Sequence, residues 1–533
     1  MRQRMSTVGK RDGGIWGMLV VAALLLSAAG GAEAADAKKA IPAAAPFTGY
    51  VLTDGLDFPW EMLWGPDDML WVTERHGQRI TRVDPRTGEK KVAVTIPEAY
   101  PGPQHEGVLG MAFAPGFLKG GGEDALYVYY TLKDGDKRWG RLAKYSYDAK
   151  ANTLGSPRTI LEGLPAGDDH NAGRVRFGPD GKLYLTIGEQ GHNQGANFCL
   201  PIEAQRIPSQ YEVDNGNWDA YRGKSLRINP DGSIPADNPV IKGVRSHVFT
   251  YGHRNPQGLE FVGDQLYSSE HGPSSDDELN LLEAGGNYGW PHVAGFRDGQ
   301  GYKYANYSAA PNCPALTFDA NVIPEGVPVQ DELEWFDPDF KAPVKTFYTV
   351  RGDHDFSDSR CGAEHAYLCC PTAAPSSIIH YPANGAIPWF RNSLLMTTLK
   401  SGSLFLVRLS GDGKQVQGDL DRLFRSRNRY RVAAIDPSGK NIYVATDNSG
   451  GAMDDAGKPA ASVRNPGSIL VFSHDPEGVY GAGTDGENLT VSLGRDACRN
   501  GDGDDNGDDD KNEEEKDGMY RENILVDAQE DRL

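Results

Sequence analysis

A short pattern recurs along this chain and restricts the folds that it can adopt. A turn containing Gly, Pro or Asp leads into an apolar–aromatic pair, which Thr or Ser and often an acid follow. The strand segments of the six copies, of which the fifth is the poorest, are residues 70–74, 126–129, 183–186, 266–269, 394–397 and 442–446. Six turn-to-strand copies favour an all-β fold, a six-bladed β-propeller of four-stranded antiparallel sheets with long loop insertions. On the pattern alone, ordinary turn punctuation without a repeat is the alternative.

Length and composition agree with such a fold. The chain has 533 residues, of which 39% are hydrophobic, and closed all-β folds of this size often form one unit. Its 65 glycines and 34 prolines favour many short strands joined by turns over long helices. The stretches 197–221 and 309–366 are predicted to be insertions that cover one face of the propeller.

The two ends of the chain differ from its middle. Arg2, Arg4 and Lys10 precede an apolar run at residues 15–26, and Ala32-Glu33-Ala34 offers a small-residue cleavage site. This is typical of a secretory signal peptide at residues 1–34, and the run is short for a membrane anchor. We therefore expect a periplasmic or secreted protein without stable membrane insertion. Its propeller domain is predicted at residues 35–476, followed by an acidic, disordered tail at 477–533, where a calcium loop at 502–513 is the alternative.

The net charge limits the classes of partner that the chain can bind, and the cysteines limit its cross-links. A formal net charge of −20 argues against nucleic acid as a partner. The oligomeric state stays open, with a homodimer among the choices. Export makes disulfides possible for the six cysteines, whose spacing does not suit a zinc site. On spacing alone, Cys361 could pair with Cys369 or with Cys370.

Two turns that are close in the sequence carry clusters of polar and charged side chains. Residues 251–258 place an imidazole, a guanidinium and an amide in a row ahead of a Pro/Gly turn. Residues 269–278 join a Gly-Pro turn to three consecutive acids, whose oxygens suit a hard cation such as calcium. An exposed acidic turn is the alternative for the second segment.

Further candidates are spread along the chain. The Asp169-His170 pair could act as a general base with a supporting carboxylate, and the alternative is a solvated loop. Arg429 and Arg431 are two residues apart, so a strand places both on one face, where they could bind an anionic ligand together with Lys400. The alternative is a solvated strand face.

Together with residues 63–67, 285–291, 304–308 and 428–431, these motifs resemble the soluble, quinone-dependent glucose dehydrogenases of the glucose/sorbosone dehydrogenase family. The resemblance covers roughly residues 58–472 and implies a six-bladed propeller that uses pyrroloquinoline quinone and Ca²⁺. The implied reaction oxidises the anomeric carbon of an aldose to the lactone, with hydride transfer to the quinone and electrons passed to an external acceptor. A calcium-dependent propeller lactonase or esterase and a non-catalytic sugar-binding propeller are the alternatives.

The resemblance also implies roles for individual residues and a Cys361–Cys369 disulfide. His170 would be the base, supported by Asp169, and Arg254 would stabilise negative charge on the cofactor. The implied cofactor contacts are Arg254, Asn255, Lys400, Arg429 and Arg431; the substrate contacts are His105, Asp169, Gln194, Tyr367 and Cys370; the backbone carbonyls of Gly272 and Pro273 would bind one calcium, and Glu278, Tyr288, Ala294, Phe296, Asp298 and Glu332 would form a second, structural calcium cluster.

Two residues depart from the family pattern. His105 stands where the family usually has Gln, and Cys370 stands where its glucose dehydrogenases have Trp. The loss of an aromatic wall removes apolar surface that could pack on a sugar ring. We therefore expect a substrate preference that is broader than strict glucose oxidation or shifted from it.

Overall fold

The computed structural model describes residues 47–120, 123–319, 322–356, 366–400, 402–418, 420–454 and 457–474, and the backbone of 493–495. The predicted signal peptide, Cys361, the calcium-loop candidate at 502–513 and most of the predicted tail lie outside these residues. Among the described residues, no helix is long and apolar enough to cross a membrane.

Six antiparallel sheets form the blades of a propeller, and their first strands pack against one another in a closed ring. The predicted six-bladed, all-β architecture is therefore confirmed. The strands, from the inner to the outer edge, are Pro59–Trp64, Leu70–Glu74, Arg79–Val83 and Lys90–Thr95 in blade one; Val108–Phe113, Ala125–Asp134, Lys137–Asp148 and Thr153–Pro165 in blade two; Val175–Phe177, Leu183–Ile187, Lys224–Ile228 and Val248–Tyr251 in blade three; Pro256–Val262, Gln265–Glu270, Asp277–Leu282 and Lys345–Phe347 in blade four; Pro375–Tyr381, Ser393–Thr398, Ser403–Arg408 and Asp421–Leu423 in blade five; Tyr430–Ile435, Asn441–Thr446, Ile469–His474 and Phe47–Thr53 in blade six.

Blade six closes the ring with strands from both ends of the propeller. Phe47–Thr53 pairs antiparallel with Ile469–His474, with Phe47 opposite His474. Closure of this kind ties the first segment of the fold to the last and leaves the sheets only short edges. Leu493–Arg495, which lies past the predicted propeller boundary at 476, pairs with Asp421–Leu423 as a fifth strand of blade five.

The repeated second strand explains where the core lies. Its aromatic residue is buried in blades one to four and six, as Trp71, Tyr127, Tyr184, Tyr267 and Tyr443. Trp71 belongs to one apolar cluster with Val128 and Tyr130 of blade two. The core therefore fills the spaces between neighbouring blades, where alternate residues of each strand face the next sheet.

A buried arginine at the centre of the ring joins blade three to three other blades. Arg174 is fully buried, and its Nε donates to the Gln257 carbonyl at 2.8 Å. Its Nη2 donates to the Ser376 carbonyl at 3.0 Å, and its Nη1 lies 2.8 Å from Glu61 Oε2. One side chain of blade three thereby holds blades one, four and five.

Short strands, helices and turns lie outside the six sheets. Cys199 and Cys313 form a disulfide with 5.7 Å between their Cα atoms, which joins the two predicted insertions. The sequence analysis did not find this pair. The remaining elements are the ribbons Val240–Ile241 with Val244–Arg245, Lys303–Ala305 with Val329–Asp331, and Ala452–Met453 with Pro459–Ala460; the α-helices Gln210–Asp214 and Ala366–Cys369; and the 3₁₀ turns Gly195–Asn197, Asp219–Tyr221, Tyr307–Ala309, Cys313–Ala315, Glu332–Glu334 and Pro388–Phe390.

Candidate active site

Antiparallel pairing gathers the predicted site residues on one face of the propeller. The start of an inner strand lies beside the end of the second strand of the same blade. Asn255 and His170 precede inner strands, Arg429 directly precedes another, and Lys400 follows a second strand. We call the face that carries these four residues the site face.

His170 has the environment of a base with a defined tautomer. Its Nδ1 lies 2.5 Å from Oε1 of Glu189, a fully buried carboxylate. In the neutral ring, Nδ1–H donates to that carboxylate and Nε2 keeps its lone pair. Nε2 lies 3.5 Å from the Gln194 amide nitrogen and 3.7 Å from Asp169 Oδ2. The predicted base is therefore oriented by Glu189, a residue that the sequence analysis missed.

The backbone of His170 has a φ of +43°, in the left-handed region that favours glycine. Side chains in this region are uncommon and concentrate at functional sites. The strained turn and the Glu189 contact together fix the ring on the site face.

Asp169 and His105 lie directly beside the base. Asp169 Oδ1 accepts the His170 backbone N–H at 2.8 Å and lies 2.5 Å from His105 Nδ1. Burial alone would raise the pKa of Asp169, but the His170 and His105 imidazoles hold that pKa well below its ordinary value. Burial lowers the pKa of His105 despite its carboxylate neighbour. The arrangement therefore offers an ionised acid and a neutral imidazole beside the base.

Gln194 links the base to Arg254. Arg254 Nη2 donates to Gln194 Oε1 at 2.8 Å, while the amide nitrogen of the same Gln194 faces His170. The guanidinium also lies 5.4 Å from the ring centre of Trp290, within the range of a cation–π contact. The predicted base, substrate contact and cofactor contact are thus contiguous.

Several buried polar atoms around Arg254 have no hydrogen-bond partner among the described residues. They are both side-chain polar atoms of Asn255, Nε of Arg254 and Nε2 of His271. A buried polar atom without a partner costs about 1–3 kcal/mol. These atoms therefore form a cradle that a polar ligand would satisfy, and Asn255 and Arg254 are two of the predicted cofactor contacts.

Arg429 and Arg431 share one carboxylate, which the sequence analysis also missed. Arg431 holds Asp447 with both Nη2, at 2.5 Å, and Nε, at 3.3 Å. Arg429 Nε lies 3.7 Å from the same carboxylate. Two arginines against one acid leave an excess of positive charge at the site face.

Lys400 adds to that excess. It is buried, and its Nζ donates to the Cys370 carbonyl and, at 2.9 Å, to Thr372 Oγ1. Burial lowers the pKa of Lys400 to about 8, because the charged form loses its water. An anionic ligand would restore favourable surroundings for the ammonium.

Tyr367 and Cys370 lie on the Lys400 and Arg429 side of the site. The Tyr367 hydroxyl accepts the Gly451 N–H at 2.9 Å, and Arg429 donates to the Gly451 carbonyl at 3.1 Å. Cys369 is part of a disulfide whose partner lies outside the described residues, whereas Cys370 is a thiol. The Cys361–Cys369 pairing stays a prediction, and the Cys370 alternative is not supported.

Trp60 connects the two halves of the site. The Arg431 guanidinium lies 4.4 Å from its ring centre, and the ring centre of His105 lies 6.0 Å from it. The predicted catalytic, cofactor and substrate residues are therefore brought together on one face.

The Gly272–Pro273 turn lies between two strands of blade four. Its Gly272 N–H donates to Asp277 Oδ1 at 3.0 Å, and a Cβ on Gly272 would collide with the Ser275 carbonyl. Asp277 Oδ2 accepts the Ala374 N–H at 3.0 Å. The tight turn requires glycine, while the calcium role of its carbonyls stays a prediction.

The second predicted calcium cluster is brought together in part. Glu278 Oε1 accepts the Gly295 N–H at 2.6 Å, and Glu332 Oε1 accepts the Ala294 N–H at 3.0 Å. Burial, then repulsion from Asp298 and Asp276, raises the pKa of Glu332 to about 8. The Tyr288 ring stacks on His253 at 4.8 Å and Phe296 is 39% exposed, so these two residues could contribute only backbone oxygens. Within the described parts of the chain, no three His, Cys, Asp or Glu side chains lie close enough together to hold a metal.

The chain is a six-bladed propeller whose site face carries an oriented imidazole and a cluster of three cations, an arrangement that suits an anionic ligand. The chain belongs to the glucose/sorbosone dehydrogenase family: the sequence model "Glucose / Sorbosone dehydrogenase" matches residues 56–336. Quinoprotein glucose dehydrogenase B of Acinetobacter calcoaceticus is 42% identical over 439 residues, which cover 80% of this chain and 91% of that protein. The resemblance drawn from the motifs is therefore confirmed.

Two more distant relatives are also named as sugar dehydrogenases. Aldose sugar dehydrogenase of Escherichia coli is 29% identical over 248 residues, which cover 45% of this chain and 61% of that protein. The structure of the pyrroloquinoline quinone-bound form of aldose sugar dehydrogenase from Streptomyces coelicolor is 26% identical, with a TM-score of 0.54. The match covers 80% of this chain and 98% of that chain, so the likeness extends over the whole propeller.

Proposed function

We propose that this chain is a quinoprotein oxidoreductase that oxidises the anomeric carbon of an aldose to the lactone. One observation carries the proposal: an oriented imidazole lies near a cradle of polar atoms without partners among the described residues, on the same face as an excess of positive charge. The relatives named as quinoprotein glucose dehydrogenase and aldose sugar dehydrogenase support it.

The residues present fit pyrroloquinoline quinone, which is a tricarboxylate. Lys400, Arg429 and Arg431 would hold its carboxylates by charge-assisted hydrogen bonds, and Arg254 and Asn255 would satisfy its remaining polar atoms. When bound, the quinone accepts the hydride that leaves the anomeric carbon.

The chain's own residues supply the proton chemistry and the orientation. His170 Nε2 takes the proton of the anomeric hydroxyl, and the Glu189 carboxylate stabilises the imidazolium that results. Asp169 and Gln194 flank that nitrogen, and His105 binds Asp169, so these three side chains would orient the sugar by hydrogen bonds. Arg254 offsets negative charge that develops near its guanidinium.

Calcium is part of the proposal. The Gly272 and Pro273 carbonyls would supply hard oxygen ligands beside the cofactor cradle. Around residues 294–299, the carboxylates of Glu278, Asp298 and Glu332 have pKa values raised by burial, and a divalent cation would remove the cost of their ionisation. Backbone oxygens of Tyr288, Ala294 and Phe296 would complete that cluster.

Two alternative functions receive less support. A lactonase or esterase has no use for the cation cluster of Lys400, Arg429 and Arg431, and a sugar-binding propeller has no use for the Glu189–His170 pair. We further propose export to the periplasm or medium, an external electron acceptor, and either a monomer or a homodimer.

Reconstitution tests the proposal. Apoprotein given pyrroloquinoline quinone and Ca²⁺ should acquire a visible spectrum that changes when an aldose is added and recovers with an electron acceptor. Protein that binds no quinone under these conditions would contradict the proposal, and hydrolysis of sugar lactones without quinone would favour the lactonase.

We also propose that Cys370 broadens sugar preference. A thiol offers less apolar surface than an indole, and such pocket differences change discrimination by about 1–3 kcal/mol. The catalytic efficiency of wild type and Cys370→Trp should be compared over a panel of aldoses, and the substitution should narrow the preference. An identical ranking in both proteins would show that Cys370 does not face the sugar.

A further inference from the structure

The repeat places an acid at a recurrent position on the site face. Glu74, Glu270 and Asp447 directly follow the Thr or Ser of the repeat in blades one, four and six, and Glu189 follows it after two residues in blade three. All four acids are at most 4% exposed. Because the strands are antiparallel, each acid lies beside the start of the inner strand of its own blade.

In two blades the partner of this acid is a predicted functional side chain. Glu189 Oε1 lies 2.5 Å from His170 Nδ1 in blade three. Asp447 Oδ2 lies 2.5 Å from Arg431 Nη2 in blade six. The repeated acid therefore holds side chains that the inner strand presents to the site.

In blade four the same acid holds backbone instead. Glu270 Oε1 accepts the N–H groups of Arg254 and, at 3.1 Å, of Asn255. Its Oε2 lies 2.9 Å from His253 Nδ1 and 3.5 Å from the Asn280 amide nitrogen. One buried carboxylate thus fixes three consecutive residues, of which two belong to the cofactor cradle.

Strand register explains why a carboxylate is needed here. Glu270 stands opposite Pro256, which has no N–H to donate to the ladder. The regular pairing stops at Pro256, and the side chain binds the N–H groups that precede the proline. Blade one repeats the device, since Glu74 stands opposite Pro59 and accepts the Asp57 N–H at 2.7 Å.

The contacts of Glu270 restrain the backbone of Asn255, a residue of the cofactor cradle. Its side chain is fully buried, and both of its polar atoms lack a partner among the described residues. Such a side chain keeps facing a ligand only if its backbone is held in place, because otherwise the side chain could turn toward another hydrogen-bond partner. The two N–H groups bound by Glu270 supply that restraint.

We propose that Glu270 is the positioning residue that holds the Arg254–Asn255 turn in the geometry that binds the cofactor. The inference rests on the proposed function. It differs from the proposed contacts because Glu270 acts through backbone and His253 rather than through the ligand. In blade four, the acid of the repeat therefore supports cofactor binding.

The test measures cofactor affinity of the apoprotein rather than activity. Apoprotein at fixed Ca²⁺ is titrated with pyrroloquinoline quinone, followed by tryptophan fluorescence, and the Tm of each apoprotein is measured alongside. Removing a supporting residue of this kind costs about 10–100-fold in affinity. We expect Glu270→Ala to lose affinity in that range. Glu270→Gln should stay within a few-fold of wild type, because its oxygen accepts the same N–H groups and its amide can donate to His253.

Glu74→Ala is the matched control, because it removes the equivalent cap of blade one, and Glu74 binds Asp57, Arg79 and Thr81, none of which is a proposed cofactor contact. It should lower the Tm and leave quinone affinity unchanged. Wild-type affinity in folded Glu270→Ala, or equal losses in Glu74→Ala and Glu270→Ala, would overturn the proposal.

If Glu270→Ala does not fold, Glu270→Asp carries the test. Its shorter side chain cannot reach both N–H groups, so it should weaken quinone binding about tenfold, and unchanged affinity would refute the assignment. Failure of the wild-type protein to bind the quinone would instead refute the proposed function.

Discussion

At the scale of single residues, the site is built from pairs in which one buried group defines the state of another. Glu189 selects the Nδ1–H tautomer of His170, and Asp447 fixes the guanidinium plane of Arg431 by two contacts. Both carboxylates contact proposed ligand-binding residues rather than the proposed ligands. Their effects should therefore appear in catalysis and affinity more than in substrate identity.

Glu189→Gln should lower kcat by about 100-fold or more, because a neutral amide can orient His170 but cannot stabilise the imidazolium. Quinone affinity should stay near wild type, since Glu189 touches no proposed cofactor contact through its side chain. Steady-state kinetics and the apoprotein titration separate the two effects. His170→Ala should lose at least as much kcat, and a Glu189→Gln enzyme with wild-type kcat would rule out this role.

Lys400 makes quinone binding depend on pH. Burial depresses its pKa to about 8, so the ammonium that attracts a carboxylate is lost as the pH rises through that value. Affinity of the apoprotein for the quinone should therefore fall between about pH 7 and pH 9. Lys400→Arg keeps the charge throughout this window and should flatten the profile. The same decline in both proteins would assign it to another group.

At the scale of elements, the blades were predictable and their cross-links were not. The repeat marks the second strand of blades one to four and six because a buried aromatic residue at that position packs between blades, as Trp71 and Tyr267 do. The Cys199–Cys313 disulfide has no comparable signal, because its partners are separated by 114 residues in two irregular insertions. Glu189 escaped notice because Ile187 and Gly188 separate it from the Thr of the repeat.

The role of Glu270 could not be read from sequence either. Its function depends on register, which brings it opposite Pro256. The residues that the family motifs assign to ligand binding lie close together because they stand at strand ends of adjoining blades, while their ligand roles stay predictions. The carboxylates behind them required the three-dimensional pairing of strands.

Asn193, the neighbour of Gln194, binds residues just ahead of the second insertion, so the disulfide between the two insertions should affect substrate binding. Asn193 Nδ2 donates to the Ala305 carbonyl at 2.8 Å, and its Oδ1 accepts the Tyr307 N–H at 2.9 Å. Replacing Cys199 and Cys313 by Ser should reduce stability by about 2–4 kcal/mol and raise the KM for sugar more than it lowers kcat. Thermal unfolding and kinetics of the double variant check both. An unchanged KM would confine the disulfide to stability.

At the scale of the whole molecule, two separate regions of an acidic chain each carry several like charges. Lys400, Arg429 and Arg431 meet at the site face, while Asp276, Glu278, Asp298 and Glu332 concentrate around residues 294–299. Each cluster is unfavourable until a ligand of opposite charge is bound. Cofactor and metal binding should therefore stabilise the fold itself, which links the function of this propeller to its resistance to unfolding.

Calcium and pH should therefore act on stability together. Burial raises the pKa of Asp276 to about 7 and that of Glu332 to about 8, far above the values of unfolded carboxyls. The folded, metal-free protein thus binds more protons than the unfolded chain between about pH 4 and pH 8, and its stability should fall as the pH rises through that window. If the proposed calcium site forms here, the ion would replace those protons, so Ca²⁺ should raise the Tm more at pH 8 than at pH 5. Thermal unfolding with chelator and with Ca²⁺ at both pH values measures the difference, and Glu332→Gln should diminish it. A calcium increment that is equal at both pH values, or larger at pH 5, would show that these carboxyls do not bind the ion.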